Sequence, residues 1–191
     1  MLHLIMLMLL AFAALTASAD DDTTNRELIE KGRYLFQAAN CYACHTDVDS
    51  DGAPLAGGRA LKTEFGIFYS PNITPDKATG IGNWRDDEFI KALTQGIAPD
   101  GRHYYPSFPY LSYRSMDTAD ILAIKAYLFS QPAVKQQNQP HQLEWYLSQF
   151  TLRIWKALND LIATPVTFDG SRGSYLVDVL GHCNECHTPR N

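Results

Sequence analysis

The stretch Cys41-Tyr42-Ala43-Cys44-His45 has a second version near the other end of the chain, Cys183-Asn184-Glu185-Cys186-His187. Together the two stretches contain all four cysteines of the 191-residue sequence. Two cysteines separated by two residues and followed directly by a histidine form the attachment pattern of c-type haem. Thiols at this spacing reach the two vinyl groups of one porphyrin, and the histidine is placed to bind its iron. The pattern predicts two covalent haem c groups, held by Cys41, Cys44, His45, Cys183, Cys186 and His187.

Cysteine pairs at this spacing also occur in other kinds of site. Two such pairs can hold structural zinc, but that chemistry does not require a histidine directly after each pair. A thioredoxin-like redox site would need a βαβ setting and a single pair. A disulfide within each pair would be short and strained. Haem attachment is therefore favoured, and a zinc-held structural module stays as an alternative.

The composition is that of a globular protein. Hydrophobic residues make up 46% of the chain and charged residues 19%, so a core can be buried. The formal net charge of -5 argues against nucleic acid as a partner, because such binding needs a basic footprint.

The first nineteen residues have the pattern of an export signal. Residues 2–15 are almost wholly apolar, and the small residues Ala17 and Ala19 stand at the spacing that a signal peptidase reads. Cleavage after Ala19 is favoured over an uncleaved anchor because the apolar run is shorter than the ~20 residues of a spanning helix. Residues 1–19 are therefore predicted to be a signal peptide. The mature protein is predicted to be periplasmic, since bacteria attach c-type haem outside the cytoplasm.

A similar lead-in precedes each cysteine motif. Lys31-Gly32-Arg33-Tyr34-Leu35 comes before the first motif and Arg172-Gly173-Ser174-Tyr175-Leu176 before the second. The repetition indicates two copies of one supersecondary unit. We predict a first domain over residues 20–131, a linker with an amphipathic helix over 132–168, and the start of a second, incomplete domain over 169–191.

Helical patterns dominate the first domain, so an all-α fold is predicted. A helix over about 25–38 would begin with a capping box formed by Thr24 and Glu27. Gly32 would be costly inside this helix unless another segment packs closely against it. The predicted buried residues of the helix are Leu28, Leu35 and Ala39.

Further helices are predicted along the chain. One covers Asp86 to Gln95 and ends at Gly96, and another runs from Asp117 to Ser130. The linker helix is predicted over 143–162, because apolar residues recur there at three- and four-residue steps. Its apolar face either packs on the first domain or forms a contact surface for a partner or a membrane.

The first haem iron needs a second, distal ligand, which is usually methionine or histidine. Met116 is the one methionine outside the signal segment, and it is predicted to be this ligand. The alternative is that Met116 is a hydrophobic staple before a helix. His103 is the runner-up ligand. The ring of His45 is expected to donate its other N–H to a backbone carbonyl near Pro54.

The second motif is followed by four residues only, which is too few to build a distal side for its haem. The chain is therefore expected to be a fragment of a longer protein. His182 and His141 are weaker candidates for the missing ligand.

Several other stretches of the sequence are distinctive, and through them the chain resembles the multihaem cytochrome c subunits of bacterial membrane-bound alcohol, gluconate and related periplasmic dehydrogenases. The resemblance covers nearly all of the mature chain. The stretches that carry it are Ser70-Pro71-Asn72-Ile73-Thr74-Pro75-Asp76, Thr79-Gly80-Ile81-Gly82-Asn83-Trp84, Tyr105-Pro106-Ser107-Phe108-Pro109-Tyr110, Arg172-Gly173-Ser174-Tyr175-Leu176, and Gly181-His182-Cys183 with Cys186-His187-Thr188-Pro189-Arg190.

The resemblance implies tandem class I-like cytochrome c domains, the second of them incomplete, with histidine and methionine ligands to iron. Some members have methionine where this chain has Phe108, so methionine ligation rests here on Met116 alone. Members also continue past the second motif.

These observations together predict an electron carrier rather than an enzyme. The expected partner is a redox protein, namely a dehydrogenase, a quinone-linked complex or an oxidase, with peripheral membrane association. The rival reading is a haem peroxidase-like enzyme, in which Met116 would not bind iron and His103 would serve as the distal base.

Overall fold

A computed structural model describes residues 23–162 and 168–187, apart from the side chains of Ile162 and Cys186. The predicted signal peptide, residues 1–19, lies outside these residues. The helices are α1 over residues 23–38, α2 Cys41–His45, α3 Asp86–Gln95, α4 Tyr110–Tyr113, α5 Thr118–Phe129, α6 Gln149–Ile162, α7 Arg172–Ser174 and α8 Asn184–His187. A 3-10 turn covers Val48–Ser50, and a π-helical turn, Tyr175–Leu180, follows α7 directly.

The described part of the chain is mostly helical, as predicted, but the all-α prediction is wrong in one respect. Strands β1 Ala60–Thr63 and β2 Gly66–Tyr69 form an antiparallel hairpin, and β3 Gln142–Leu143 adds a third strand beside β2. The strands are short and β1 is largely exposed, so they lack the alternation of apolar and polar residues that identifies a strand in a sequence.

Helices α1 and α5 cross in close contact at Gly32. A Cβ atom added there would lie 1.9 Å from the carbonyl oxygen of Ala123 in α5. The expected close packing at this glycine is therefore confirmed. Leu35 is fully buried beside the crossing, and the Phe36 and Tyr127 rings lie 5.0 Å apart.

Two details predicted for α1 are wrong. The helix already includes residue 23, so Thr24 lies inside it and is not its N-cap. Leu28 is 39% exposed, whereas Leu35 and Ala39 are buried as predicted. The contacts of α1 with α5 lie at Lys31 and Gly32, one turn beyond Leu28.

The predicted bounds of α3 and α5 agree with the structure to within one residue. The bounds of α3 are as predicted, Asp86–Gln95, with an acidic first turn and Gly96 in the left-handed conformation at φ 58° as its stop. Helix α5 runs from Thr118 to Phe129. Phe89 and Ala92 of α3 are buried in the core.

The linker helix is shorter than predicted. It covers Gln149–Ile162 as α6, while Leu143 belongs to strand β3. Ser148 explains the later start, because its hydroxyl accepts from the Thr151 N–H at 3.2 Å and its own N–H donates to the Thr151 hydroxyl at 2.9 Å. This reciprocal pairing caps the first turn of the helix.

The segment that leads into the second cysteine motif packs on the same core. Val179 and Leu180 are fully buried, in one cluster with Leu35 and Met116. The Tyr175 hydroxyl accepts a hydrogen bond from the Asp117 N–H, at the start of α5, at 3.3 Å. None of the helices among the described residues is both long enough and apolar enough to cross a membrane.

Candidate functional site

The first cysteine motif forms a short helix of its own. Helix α2 begins after Asn40, which adopts the left-handed conformation at φ 52°, and its Ala43 carbonyl accepts a hydrogen bond from the Arg59 guanidinium. One helical turn brings the side chains of Cys41 and Cys44 to the same side, as residues three apart on a helix are neighbours. Both thiols are free. Burial raises the pKa of Cys41 to about 12, so this thiol is protonated at neutral pH.

The ring of His45 is oriented by a hydrogen bond to a backbone carbonyl. Its Nδ1 lies 2.9 Å from the carbonyl oxygen of Pro71. A carbonyl can only accept, so Nδ1 carries the proton and Nε2 keeps its lone pair. Burial lowers the pKa of His45, which favours this neutral ring. The prediction that His45 donates to a backbone carbonyl is thus confirmed. The predicted place of that carbonyl, near Pro54, is wrong, because the carbonyl belongs to Pro71.

This donor set fits a covalently attached haem. Two free thiols stand three positions apart, and the imidazole that follows them presents an unprotonated nitrogen. An imidazole whose other nitrogen donates to a carbonyl is the usual form of an iron-binding histidine.

The loop that carries Pro71 is held by a buried network that the sequence did not reveal. The Asn72 side chain donates to the carbonyls of Val134 and Gln136, at 2.8 and 3.2 Å, and to the Thr79 hydroxyl at 3.2 Å. Its oxygen accepts from the N–H and hydroxyl of Thr74, at 2.9 and 2.7 Å. Residues 134–138 are therefore an ordered strap across this loop.

Met116 occupies a buried position directly before α5. It is 7% exposed and belongs to the hydrophobic core. Its backbone N–H donates to the Tyr113 carbonyl at 3.0 Å. Burial next to a helix start suits both an iron ligand and a hydrophobic staple, so ligation by Met116 stays a prediction.

Two of the histidines that follow the first motif, His103 and His141, occupy different settings. His103 lines a groove together with Met116, and its buried Nδ1 has no hydrogen-bond partner among the residues that the structure describes. Burial, followed by the charges of Lys156, Arg153 and Lys91, lowers the pKa of His103. Among the described residues, no hydrogen-bond donor contacts the Nδ1 of His103, whereas the Nδ1 of His141 accepts a hydrogen bond.

His141, in contrast, forms a hydrogen bond with the end of strand β2. Its Nδ1 accepts from the Tyr69 N–H at 3.1 Å, so its Nε2 carries the proton. Its ring also contacts Phe68 and Tyr105, at centroid distances of 5.5 and 5.9 Å. Because Nδ1 accepts this hydrogen bond and Nε2 carries the proton, the His141 ring has no lone pair left to bind iron.

The second cysteine motif lies against α4. The Ser112 hydroxyl donates to Glu185 at 2.6 Å, and the His182 ring lies 5.9 Å from the Tyr113 ring. The Cys183 thiol is free and exposed, and His187 is exposed. The side chain of Cys186 is outside the described part of the structure.

Tyr113 lies between the two motifs. Burial raises its pKa well above the usual value, and the nearby Cys41, Cys44 and Glu185 raise it further. Tyr113 is 72 positions after Cys41 and 72 positions before Glu185, and no pattern in the sequence points to this proximity. In the part of the chain that the structure describes, no three His, Cys, Asp or Glu side chains form a metal-binding group.

Comparison with known proteins gives concordant results. The family model described as "Cytochrome c" matches residues 29–132. The gluconate 2-dehydrogenase cytochrome c subunit of Pantoea cypripedii is 42% identical over 190 residues, which cover 95% of this chain and 42% of that protein. The fructose dehydrogenase cytochrome subunit of Gluconobacter japonicus is 41% identical over 179 residues, covering 88% and 36%. "Diheme cytochrome c-type" of Cereibacter sphaeroides is 39% identical over 188 residues, covering 94% and 60%.

The chain thus spans between 36% and 60% of the length of these three relatives. The matched region of the family model includes the first cysteine motif, helices α3 to α5 and Met116. This match covers more than half of the 191 residues. The chain belongs to the cytochrome c family, whose members hold haem covalently.

Proposed function

We propose that the protein is a periplasmic electron carrier with two covalent haem c sites. The first consists of Cys41, Cys44 and His45, and the second of Cys183, Cys186 and His187. The observation that carries the proposal is the hydrogen bond from His45 Nδ1 to the Pro71 carbonyl. It leaves Nε2 free beside two unpaired thiols, and this is what a proximal haem ligand requires.

The residues divide the work of such a site. Cys41 and Cys44 would attach the porphyrin, and His45, with its ring held by the Pro71 carbonyl, would bind the iron. The strap over residues 134–138 keeps that carbonyl in place through Asn72. Met116 would be a second ligand to the iron. Haem, when bound, supplies one-electron exchange at its iron, and the protein tunes the potential through ligand identity and burial.

The relatives support a partner of a particular kind. Two of them are named as cytochrome subunits of dehydrogenases, one for gluconate and one for fructose. We infer that this chain accepts electrons from a periplasmic dehydrogenase and passes them on to a quinone-linked complex or an oxidase. Residues 20–131 and 169–191 would be tandem cytochrome c units joined by the linker region 132–168.

The haem sites can be tested one at a time. The chain is expressed with export and a c-haem maturation system, and covalent haem is counted by intact mass and by the pyridine haemochrome spectrum. Cys44→Ser and Cys183→Ser should each reduce covalent attachment at one site. His141→Gln is the matched control, because His141 is committed to the Tyr69 N–H. Full haem content in Cys44→Ser would contradict the first site, and full content in Cys183→Ser the second.

A further inference from the structure

Asp120, in the first turn of α5, is a buried acid that takes one cation from each of the two lead-ins. Its carboxylate lies 2.6 Å from the Lys31 ammonium and 3.8 Å from the Arg172 guanidinium. The Asp120 side chain is 7% exposed, whereas the two cations are about half exposed. Lys31 is the first residue of one lead-in and Arg172 the first residue of the other, so the two cations occupy equivalent positions.

Two tyrosines of the lead-ins lie on either side of Arg172. The guanidinium is 5.6 Å from the centre of the Tyr34 ring and 5.5 Å from that of the Tyr175 ring. Tyr34 and Tyr175 also hold equivalent positions in the two lead-ins. A guanidinium within about 6 Å of an aromatic face is attracted to it. Arg172 is therefore placed both by an acid of the first cytochrome c unit and by one tyrosine from each lead-in.

Apolar burial attaches the rest of this segment, residues 172–187, to the first unit. Val179 and Leu180 are fully buried in the same cluster as Leu35 and Met116. Apolar burial is strong but has no direction, so it does not by itself fix the register of the segment. A pair between a cation and a buried carboxylate does have direction, because misplacing the cation leaves the acid uncompensated.

At its far end, the same segment brings the second cysteine motif beside Tyr113. The Ser112 hydroxyl donates to Glu185 at 2.6 Å, and the rings of Tyr113 and His182 lie 5.9 Å apart. The Tyr113 hydroxyl donates to the Ala39 carbonyl at 3.4 Å, two residues before the first motif. One buried aromatic residue thus contacts the flanks of both motifs.

We propose that Asp120 positions the second haem site against the first, and that the Tyr113 ring is the contact between the two sites. The electron-transfer part of this inference rests on the proposed function, whereas the docking of residues 172–187 does not. An electron that passes between the sites oxidises one haem iron by one electron and reduces the other by one, so no further reactant is needed. Sites in contact would exchange electrons within one chain.

The docking is tested by amide hydrogen exchange of the exported, haem-loaded chain, followed by mass spectrometry over residues 175–183. Arg172→Gln should make these amides exchange roughly tenfold faster, because it removes the cation that the second lead-in gives to Asp120. Arg172→Lys keeps the charge and should restore most of the protection. Arg172 is half exposed, so neither variant disturbs the core.

Lys31→Gln is the matched control, because it removes the other cation from Asp120 and nothing from the second lead-in. It should leave residues 175–183 as protected as in the wild type. Unchanged exchange in α3 would show that the first unit is folded in every variant. The docking is overturned if residues 175–183 of the wild type exchange as fast as an unfolded chain, or if Arg172→Gln protects them as well as the wild type does.

The contact at Tyr113 is tested by the reduction potential of the first haem. Charged sites on either side of one buried ring interact, so removing the second haem with Cys183→Ser should shift this potential. The same potential with and without the second haem would overturn the contact.

Haem is counted in each sample by the pyridine haemochrome spectrum, which separates the two proposals. Two haems with an unprotected segment 175–183 would refute the docking and leave the proposed function intact. Fewer than two haems in a wild-type chain whose segment is protected would refute the proposed function and leave the docking intact.

Discussion

Substituting alanine for Gly32 should loosen the crossing of α1 and α5. Alanine inside a helix normally stabilises it by about 1 kcal/mol relative to glycine. Here the added Cβ would lie 1.9 Å from the Ala123 carbonyl oxygen and 2.9 Å from the Tyr127 Cβ. The first neighbour is backbone and cannot turn aside, so overpacking should cost roughly 3 kcal/mol. The net loss should be about 2 kcal/mol, or a fall in Tm of roughly 4–8 °C.

Gly173 offers a matched control for this substitution. It occupies the corresponding position in the second lead-in, also within a helix, and the nearest atom to its added Cβ is the Ser171 hydroxyl at 4.0 Å. Gly173→Ala should therefore leave the Tm unchanged or raise it slightly. Both variants are followed by thermal unfolding with far-ultraviolet circular dichroism. A Gly32→Ala protein that unfolds at the wild-type temperature would refute the close crossing.

Three further predictions concern the site and its supports. Asn72→Ala should lower the free energy of unfolding, measured in urea, by about 2–3 kcal/mol, because it leaves several buried hydrogen-bond partners unsatisfied. Asn83→Ala, at an exposed position, is the control and should have almost no effect. Equal losses in the two variants would contradict the role of Asn72 in holding the strap. Burial lowers the pKa of Lys156 from 10.5 to about 8, so the unfolded chain binds more protons between these values and stability should rise with pH there. The Lys156→Met variant should lack this rise in stability. Parallel profiles of stability against pH for the wild type and the variant would contradict the lowered pKa of Lys156. Met116→Ala should lower the potential of one haem and let carbon monoxide bind its iron, whereas an unchanged potential and spectrum would rule out ligation.

Local signals in the sequence predicted local structure well. Helix α3 has an acidic first turn and a glycine stop, and its bounds were predicted to the residue. Gly32 was predicted to need a close neighbour, and α5 supplies it. The start of α6 was misplaced because the apolar spacing continues through Leu143, while the Ser148 cap, which decides the boundary, is a weaker signal.

Features that depend on contacts between distant parts of the chain could not be predicted from the sequence. The acceptor for His45 was expected near Pro54, a neighbour in sequence, but Pro71 is the neighbour in space. The hydrogen bonds of Asn72 reach residues more than 60 positions away. The site residues themselves were predictable because the haem pattern is local, whereas the bonds that orient them are made by tertiary packing.

The most direct test of the central claim is the intact mass of the exported wild-type chain, taken together with its reduced visible spectrum. Two covalent haem c groups predict a mass raised by two haems and a c-type spectrum that appears on reduction and vanishes on oxidation. A chain of unmodified mass, without visible absorbance and with about one zinc per molecule, would contradict the account.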